Sequence, residues 1–516
     1  MTSQALLLPV RTPRILCIVA VLAACAPASA LAAGAAGPAA LPAAPLAEAE
    51  RIAKVVAPTG DFSRSEPFEV NPAGAATVHK LLNTSSFSHP SANMAFERQL
   101  DFRVGDGIFR KLWVSAPSST QSSNGLGPLF NARSCQSCHL KDGRGRPPEG
   151  DEAAVSMFLR LSIPPQTEAD REALASRRKS VIPEPTYGGQ FQNFSVQGVL
   201  AEGRMDIAYE EIPVTLADGE IVHLRKPTYR AVDLNYGDMH PDTMLSPRVA
   251  PQMIGMGLLE AIAEEDILAW ADPDDASGNG ISGRPNQVWS DAEGKVMLGR
   301  FGWKAGKPTV TDQTVHAFAG DIGISTHLLP APWGDCTAAQ PACREAPHGS
   351  YGEDGVEITR DMLDLVVFYS RNLAVPGRRD ADDPQVLAGK QTFYAAGCTG
   401  CHRPKYVTPR DTVEPEQAFQ LIWPYSDLLL HDMGEGLADH RPEGDASGRE
   451  WRTAPLWGIG LTQMVSGHTY FLHDGRARNL LEAILWHGGE AEAAKQRVIA
   501  LSREEREALL AFLNSL

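Results

Sequence analysis

Two pentapeptides with the pattern Cys-x-x-Cys-His constrain this chain more than any other feature. The first signature runs from Cys135 to His139 and the second from Cys398 to His402. At this spacing two thiols can add to the vinyl groups of one haem while the next residue, histidine, ligates its iron. The chain is therefore predicted to carry two covalently bound c-type haems. The attachment and proximal-ligand residues are Cys135, Cys138, His139, Cys398, Cys401 and His402.

Other uses of a Cys-x-x-Cys pair stay open at this point. The pair can be half of a zinc site, a thioredoxin-type redox pair or a simple disulfide. A zinc site needs further thiols or histidines at similar spacing, and the remaining downstream cysteines, Cys336 and Cys343, are not so arranged. A thioredoxin motif needs no following histidine. Repetition of the whole pentapeptide behind an export signal favours haem.

The N-terminus has the features of an export signal. Arg11 and Arg14 precede an apolar run of about ten residues, which is too short to cross a bilayer, so residues 1–24 are interpreted as a signal peptide. The sequence up to Cys25 also resembles a lipoprotein cleavage box, which would put a lipid anchor on Cys25. Ordinary cleavage after Ala30 is the alternative. Either route predicts the periplasm, the first as an outer-membrane-anchored lipoprotein.

Charge and the remaining cysteines narrow the class further. The formal net charge is -16 without a run of basic residues, so nucleic acid is not expected as a partner. Cys336 and Cys343 are left over from the signatures and are predicted to form a disulfide, with two free thiols as the alternative. No apolar run downstream of the signal is long enough for a transmembrane helix.

The predicted fold class is mainly α, with two cytochrome c-like haem domains, the first carrying a β-rich insertion. A helix around Gly389 precedes the second signature, and Ser502 with Glu505 forms a capping box for a closing helix. The alternating segment on either side of Ala217–Gly219 predicts a β-hairpin. The predicted divisions are 1–24 signal peptide, 25–98 Ala/Pro-rich tether and N-terminal segment, 99–376 N-terminal haem domain, and 377–516 C-terminal haem domain.

Helices are also expected around the first signature. Gly107–Phe109 forms the entry, 26 residues before Cys135, and residues 359 to 373 form the closing helix. Its inward-facing residues would be Met362, Leu363, Val366, Val367 and Phe368.

Three C-terminal segments carry a resemblance to a known family. They run from Tyr425 to Gly434, from Arg452 to Trp457 and from Tyr470 to Arg476. Together they are similar to conserved motifs of the bacterial di-haem cytochrome c peroxidases, and the chain resembles the di-haem oxidoreductase branch of that superfamily over roughly residues 100 to 516. The resemblance implies that electrons enter at the C-terminal haem and that the oxidant meets the N-terminal haem.

The resemblance also suggests ligands for the C-terminal haem. In the peroxidases a methionine about fourteen residues after the histidine of the His-Asp-Gly motif is the second axial ligand, and here that position is His487. We therefore expect His402 and His487 as a bis-histidine pair, with Met433 in reserve. The alternative is a histidine that only sits favourably at a helix C-terminus.

The N-terminal half departs further from the family. The position of the peroxidases' distal histidine is Val155, which suggests an accessible N-terminal haem. Glu260 is the candidate catalytic acid, with a helix-start carboxylate as the alternative. Met239, His240 and Met256 are alternative sixth ligands of the N-terminal haem, although core packing is the more expected role of Met256.

Two further positions have alternative interpretations. The segment from Asp275 to Gly280 resembles half of a calcium loop, although its twelfth position is Asn286; a turn stabilised by side-chain oxygens is the alternative. Trp303 is a candidate electron relay or a buried core residue.

The predicted function is a periplasmic di-haem c-type cytochrome oxidoreductase of peroxidase-like activity. Its partners would be a small redox-protein electron donor, such as a cytochrome c or a cupredoxin, and a peroxide. Two alternatives are a non-enzymatic di-haem electron carrier and a protein-modifying haem oxidase, as in the methylamine dehydrogenase maturation enzyme.

Overall fold

A computed structural model describes residues 44–150, 152–349 and 354–516 of the chain. The predicted signal peptide and Cys25 lie outside these residues. Within them, the α-helices are α1 Ala44–Val56, α2 Gln99–Phe109, α3 Cys135–Cys138, α4 Glu168–Ala175, α5 Met256–Ala261, α6 Glu264–Leu268, α7 Val310–Ala317, α8 Pro341–Arg344, α9 Arg360–Arg371, α10 Pro384–Ala395, α11 Thr462–Ser466, α12 Leu480–Leu485, α13 Glu492–Ile499 and α14 Arg503–Ser515.

The strands pair two by two, and most of them are two to four residues long. They are β1 Val114–Ser115, β2 Asn124–Leu126, β3 Leu129–Phe130, β4 Met157–Ser162, β5 Phe194–Ser195, β6 Arg204–Thr215, β7 Ile221–Val232, β8 Met244–Val249, β9 Gln287–Ser290, β10 Lys295–Leu298, β11 Tyr406–Val407, β12 Leu421–Ile422, β13 Leu430–Asp432 and β14 Glu450–Arg452. The pair β1–β2 is parallel, whereas β3–β5, β4–β8, β6–β7, β9–β10, β11–β12 and β13–β14 are antiparallel.

The predicted fold class is wrong. The structure is 30% helical and 17% strand with many small sheets, which excludes a mainly α fold of two cytochrome c-like domains. The reason is the content of the long segments between the helices. They contain two- and three-residue strands and loops rich in glycine and proline, whose pairing leaves no period in the sequence. The part of the chain from Ile52 to Leu516 forms one compact unit, and the division at residue 376 stays a prediction.

Two pairs of helices cross at a glycine. A Cβ atom on Gly389 of α10 would lie 1.9 Å from the carbonyl oxygen of Ala508 in α14. A Cβ on Gly105 of α2 would lie 2.2 Å from the carbonyl oxygen of Leu365 in α9. Only glycine allows the backbones to approach this closely. The expected entry glycine was Gly107, but a Cβ there would meet nothing within 4 Å, so Gly105 makes the contact instead.

The same aromatic pattern accompanies both crossings. Four residues after Gly105, Phe109 packs on Tyr369 with ring centroids 5.2 Å apart. Four residues after Gly389, Phe393 packs on Phe512, also at 5.2 Å. The two halves of the chain therefore repeat one local arrangement, a glycine contact followed by an aromatic pair.

Side-chain caps define where these helices begin. The Thr359 side chain accepts from the backbone N–H of Met362 at the start of α9. Ser502 and Glu505 form the predicted capping box of α14, and Asp383 caps α10. The predicted closing helices are confirmed, although Met362 and Phe368 are only partly buried.

The predicted hairpin is present as β6 and β7, with Thr215 opposite Ile221. Its tip contacts the C-terminal helix, because Arg506 binds Asp218 at 2.9 Å and Glu220 at 2.7 Å. Nearer its base the Tyr229 hydroxyl donates to Asp474 at 2.9 Å. The hairpin thus ties a segment preceding residue 376 to the C-terminal part.

The segment between residues 57 and 98 is anchored by buried ion pairs. Glu69 is 1% exposed and binds Arg378 and Lys390, the latter at 2.9 Å. Glu66 binds Lys390 and Lys405. These contacts hold the segment against α10 and the second signature.

The Cys336–Cys343 disulfide is present, with Cα atoms 6.2 Å apart, as predicted. None of the helices in the described residues combines the length and hydropathy that a bilayer crossing requires.

Candidate haem sites

The first signature forms a single helical turn. Ser134 caps α3 by accepting from the backbone N–H of Ser137 at 3.2 Å. The turn places the Cys138 thiol 3.1 Å from the carbonyl oxygen of Val155, the position at which the family would have a distal histidine. His139 donates from Nδ1 to the carbonyl oxygen of Pro251 at 2.7 Å.

The second signature also forms one helical turn followed by a hydrogen-bonded histidine, but the turn begins differently. Gly397, at φ +85°, starts a 3-10 turn from Cys398 to Gly400. His402 then donates from Nδ1 to the carbonyl oxygen of Tyr425 at 2.8 Å. The aromatic repeats described above flank both histidines, since Phe109 lies 6.3 Å from the ring of His139 and Phe393 lies 6.2 Å from that of His402.

Both proximal histidines are in the neutral form that can bind a metal. Burial lowers the pKa of His139 and of His402 to about 4, so each ring is uncharged at neutral pH. A carbonyl oxygen can only accept, so Nδ1 carries the proton and Nε2 keeps its lone pair. Metal-bound histidines in proteins show this arrangement.

The signature thiols do not resemble a redox pair. All four signature cysteines are free, and burial raises the pKa of Cys135 and of Cys398 to about 12. Thioredoxin-type cysteines have lowered pKa values, because the thiolate is the reactive form. The geometry therefore suits thioether attachment better than thiol exchange.

One cavity of about 930 Å³ connects the two signatures. It is lined by all four signature cysteines, both proximal histidines and His487. Its volume lies at the upper end of the range for small-molecule and cofactor sites, which is about 300–1,000 Å³.

His487 lies at the end of α12 and faces this cavity. It donates from Nδ1 to the carbonyl oxygen of Ala483 at 2.8 Å, as a helix-terminal histidine would, and this leaves Nε2 free as in the proximal histidines. His487 is also one of the groups that act electrostatically on His402. The structure brings this predicted pair together, and its ligand role stays a prediction.

Of the other four candidate ligands, two line the cavity and two do not. Met433 and Met256 line it, whereas Met239 and His240 do not. His240 Nδ1 accepts from the backbone N–H of Asp242 at 3.2 Å. Among these four, only the two methionines keep a place near the signatures.

The structure does not bring Glu260 to the cavity lining. Its carboxylate binds Arg371 Nε at 2.6 Å and accepts from the backbone N–H of Val310 at the start of α7 at 2.8 Å. Both oxygens are thus engaged in structural contacts. The catalytic role of Glu260 stays a prediction that these contacts do not support.

The segment predicted as a calcium loop is closed by its own hydrogen bonds. Asp272 accepts from the backbone N–H groups of Ala276 and Ser277, and Asp275 accepts from that of Gly280. Such contacts stabilise turns without an ion. Calcium binding here stays a prediction.

Sequence reasoning gave no role to His431. This buried imidazole contacts Asp427 through Nε2 at 2.9 Å and Glu490 through Nδ1 at 2.7 Å, and it lies 3.5 Å from the Cys401 sulfur. Burial lowers its pKa, but the Asp427 carboxylate outweighs burial and holds it well above the ordinary range. The protonated ring can fix the loop beside Cys401. Asp427, four residues before it, was the available signal.

Trp303 and Trp451 are among the aromatic residues on the cavity wall. Trp303 donates its Nε1 hydrogen to the carbonyl oxygen of Val249 at 2.8 Å and is 8% exposed. Trp451 stacks on His473 with ring centroids 3.7 Å apart. Trp303 is therefore both a core residue and a cavity residue, and its relay role stays a prediction.

Partly buried cations on the cavity wall suit the propionates of haem. Arg144 binds the carbonyl oxygens of Tyr470 and Leu472, and Arg452 binds those of Gly302 and Thr453. Burial lowers the pKa of each to about 10. Neither guanidinium has a carboxylate partner among the described residues, and haem propionates would supply such partners. With the thiols and free Nε2 atoms, these residues fit two haems.

Comparison with known proteins agrees with this fit. A family model described as "Di-haem oxidoreductase, putative peroxidase" matches residues 69–516. No curated protein and no solved structure matches the chain. Because the matched region covers most of the chain and contains both signatures, the protein belongs to the di-haem oxidoreductase family.

Proposed function

We propose that the protein is a periplasmic di-haem c-type oxidoreductase that reduces a peroxide at the haem held by His139. Electrons would enter through the haem held by His402. Covalent attachment through the four signature cysteines is part of the proposal, and it is supported by the free thiols beside each histidine, which are partly or fully buried.

The observation that carries the proposal is the unequal surroundings of the two proximal histidines. His487 acts electrostatically on His402 from within the same cavity. The pKa of His139 is shifted by burial and by backbone hydrogen bonds. No second imidazole of the described residues contributes to this shift. A haem ligated on one face only keeps a coordination position for peroxide.

The haems would supply the redox chemistry, and the chain's own residues hold and insulate them. His139 and His402 present Nε2 in a fixed orientation because Nδ1 is bound to a carbonyl oxygen. Reduction of hydrogen peroxide to two waters consumes two electrons and two protons, so two one-electron donors are needed per turnover.

An acidic surface beside the second signature suits a basic electron donor. Arg403, directly after His402, stacks over Trp270 at 3.4 Å. Trp270 is 42% exposed, and Glu265 and Asp274 are exposed in the segments on either side of it. Complementary charge steers association of redox partners and raises its rate. The donor would be a small redox protein, a cytochrome c or a cupredoxin, with a basic contact face.

A donor-oxidation assay tests the proposal. A reduced basic cytochrome c is mixed with the di-haem protein and hydrogen peroxide, and oxidation of two cytochromes per peroxide is expected. The double variant Glu265→Lys/Asp274→Lys should slow this oxidation at low ionic strength. Glu97→Lys/Asp101→Lys, with the same charge change at exposed positions elsewhere, should not. Electron uptake without peroxide-dependent oxidation would instead identify an electron carrier.

A further inference from the structure

One part of the cavity wall, here called the arm, is not used by the haem sites described above. It carries four cations, Arg160, Arg178, Lys179 and Lys307. The arm adjoins the first signature because Asp321, on its wall, accepts through its backbone oxygen from the N–H of Ala132 at 3.0 Å. In a chain of net charge -16 such a grouping is unusual.

The carboxylates in this arm already have partners. Asp291 binds His316 at 2.7 Å. Asp335 accepts from the backbone N–H groups of Gly189 and Gln190. Asp321 accepts from Gln190 at 2.9 Å, and the remaining acid, Glu443, binds Arg248 and Arg441.

Among the described residues, by contrast, no acid lies within ion-pair distance of these four cations. Arg160 contacts the Phe158 ring at 5.0 Å, and Arg178 contacts the Trp289 ring at 3.7 Å. Within the residues that the structure describes, the side chains of Arg160 and Lys307 make no hydrogen bond or ion pair with protein. Burial and, to a smaller degree, the charge of Arg160 lower the pKa of Lys307 to about 8, against the opposing effect of Asp291 and Glu443, which lie beyond ion-pair distance. A bound anion would offset both the burial of these charges and the repulsion between Arg160 and Lys307.

We propose that Arg160 and Lys307 form a carboxylate-binding site in this arm of the cavity. The guanidinium can bind both oxygens of a carboxylate, and the ammonium adds a point charge. Phe158, Leu329 and Pro330 provide an apolar wall, so the ligand class is a small organic carboxylate with an apolar part. A haem propionate offers the same chemistry, and the test below separates the two sources.

The probe is benzoate, with benzamide as its neutral counterpart, titrated calorimetrically into the di-haem protein at low ionic strength. Benzoate should bind and benzamide should not. Arg160→Gln/Lys307→Gln should weaken benzoate binding about tenfold or more, since each lost contact is a charge-assisted hydrogen bond. Arg103→Gln/Lys295→Gln removes the same charge at exposed positions and should leave binding unchanged.

The reduction potentials of both haems, measured without benzoate, identify the source of the carboxylate. Unchanged potentials in Arg160→Gln/Lys307→Gln, together with lost benzoate binding, indicate a free carboxylate. If the wild-type protein binds no benzoate but the variant shifts one potential, the bound carboxylate is a haem propionate. The proposal is overturned if benzoate fails to bind and the potentials do not move, or if the control variant weakens binding equally. Binding requires no turnover, so it is independent of peroxidase activity.

Discussion

His402 and His487 each donate from Nδ1 to a backbone carbonyl oxygen 2.8 Å away, and both line the same cavity. Each therefore keeps Nε2 free to bind metal, and the two rings interact electrostatically. His139 also donates from Nδ1 to a carbonyl oxygen, but no second histidine of the described residues acts on its pKa. The two haem sites consequently differ in their expected ligation.

His487→Ala should convert one low-spin haem signal to high spin in the electron paramagnetic resonance spectrum. His487→Met should restore a low-spin haem with a higher reduction potential, because methionine in place of histidine raises it. His223→Ala, at an exposed position on β7, is the control. An unchanged spectrum in His487→Ala would remove this residue from the ligand set.

Covalent attachment can be counted directly by the pyridine haemochrome assay. Cys135→Ser/Cys138→Ser and Cys398→Ser/Cys401→Ser should each lower the covalent haem content from two per chain to one. Cys336→Ser/Cys343→Ser removes the disulfide and should leave both haems attached. Fewer than two covalent haems in the wild-type protein would contradict the attachment chemistry.

The close contact of α2 with α9 predicts a steric effect specific to one glycine. Gly105→Ala should lower the free energy of unfolding by about 1–3 kcal/mol, because its Cβ would overlap the Leu365 carbonyl oxygen. Gly107→Ala lies in the same helix with open space around it, and should be neutral or stabilise by up to about 1 kcal/mol. Urea unfolding of the di-haem protein measures both. Equal destabilisation by the two variants would show that the crossing does not depend on Gly105.

The ion pairs of Glu69 predict a pH-dependent contribution to stability. Burial raises the pKa of Glu69, but Arg378 and Lys390 outweigh burial and hold it below its ordinary value of 4.5. Stability from a lowered carboxyl pKa is present above the unfolded value and is lost as pH falls through the folded value.

Glu69→Gln should therefore cost about 3 kcal/mol at pH 7, because it leaves buried cations without their partner. The difference from wild type should shrink as the pH falls below 4.5, as measured by urea unfolding at each pH. Glu97→Gln, at an exposed position, should have little effect. A difference for Glu69→Gln that stays constant down to strongly acidic pH would contradict the ion-pair account.

The parts of the site that follow from local rules could be predicted from the sequence. The signatures, the capping box at Ser502 and the turn after Leu216 depend on a few adjacent residues, so their patterns survive in the chain. The overall fold class could not be predicted in this way, because two-residue strands such as β3 and β5 pair across some sixty residues and leave no periodic signal.

The remaining site residues depend on long-range contacts for the same reason. Glu260 is a candidate because it follows a segment, residues 247–251, that resembles a motif of the peroxidases. In the structure its carboxylate instead binds Arg371 and the start of α7, and it does not line the cavity. His431 becomes notable only when Glu490, 59 residues later, completes its second contact. The spacing of residues in the sequence does not show that Arg371 contacts Glu260 or that Glu490 contacts His431.

The spin state of each haem, recorded before and after addition of peroxide, tests the central claim most directly. The account predicts one low-spin haem, ligated by His402 and His487, and one high-spin haem at His139 whose spectrum changes on adding a stoichiometric amount of peroxide to the half-reduced protein. Two low-spin haems that remain unchanged by peroxide in every redox state would contradict it.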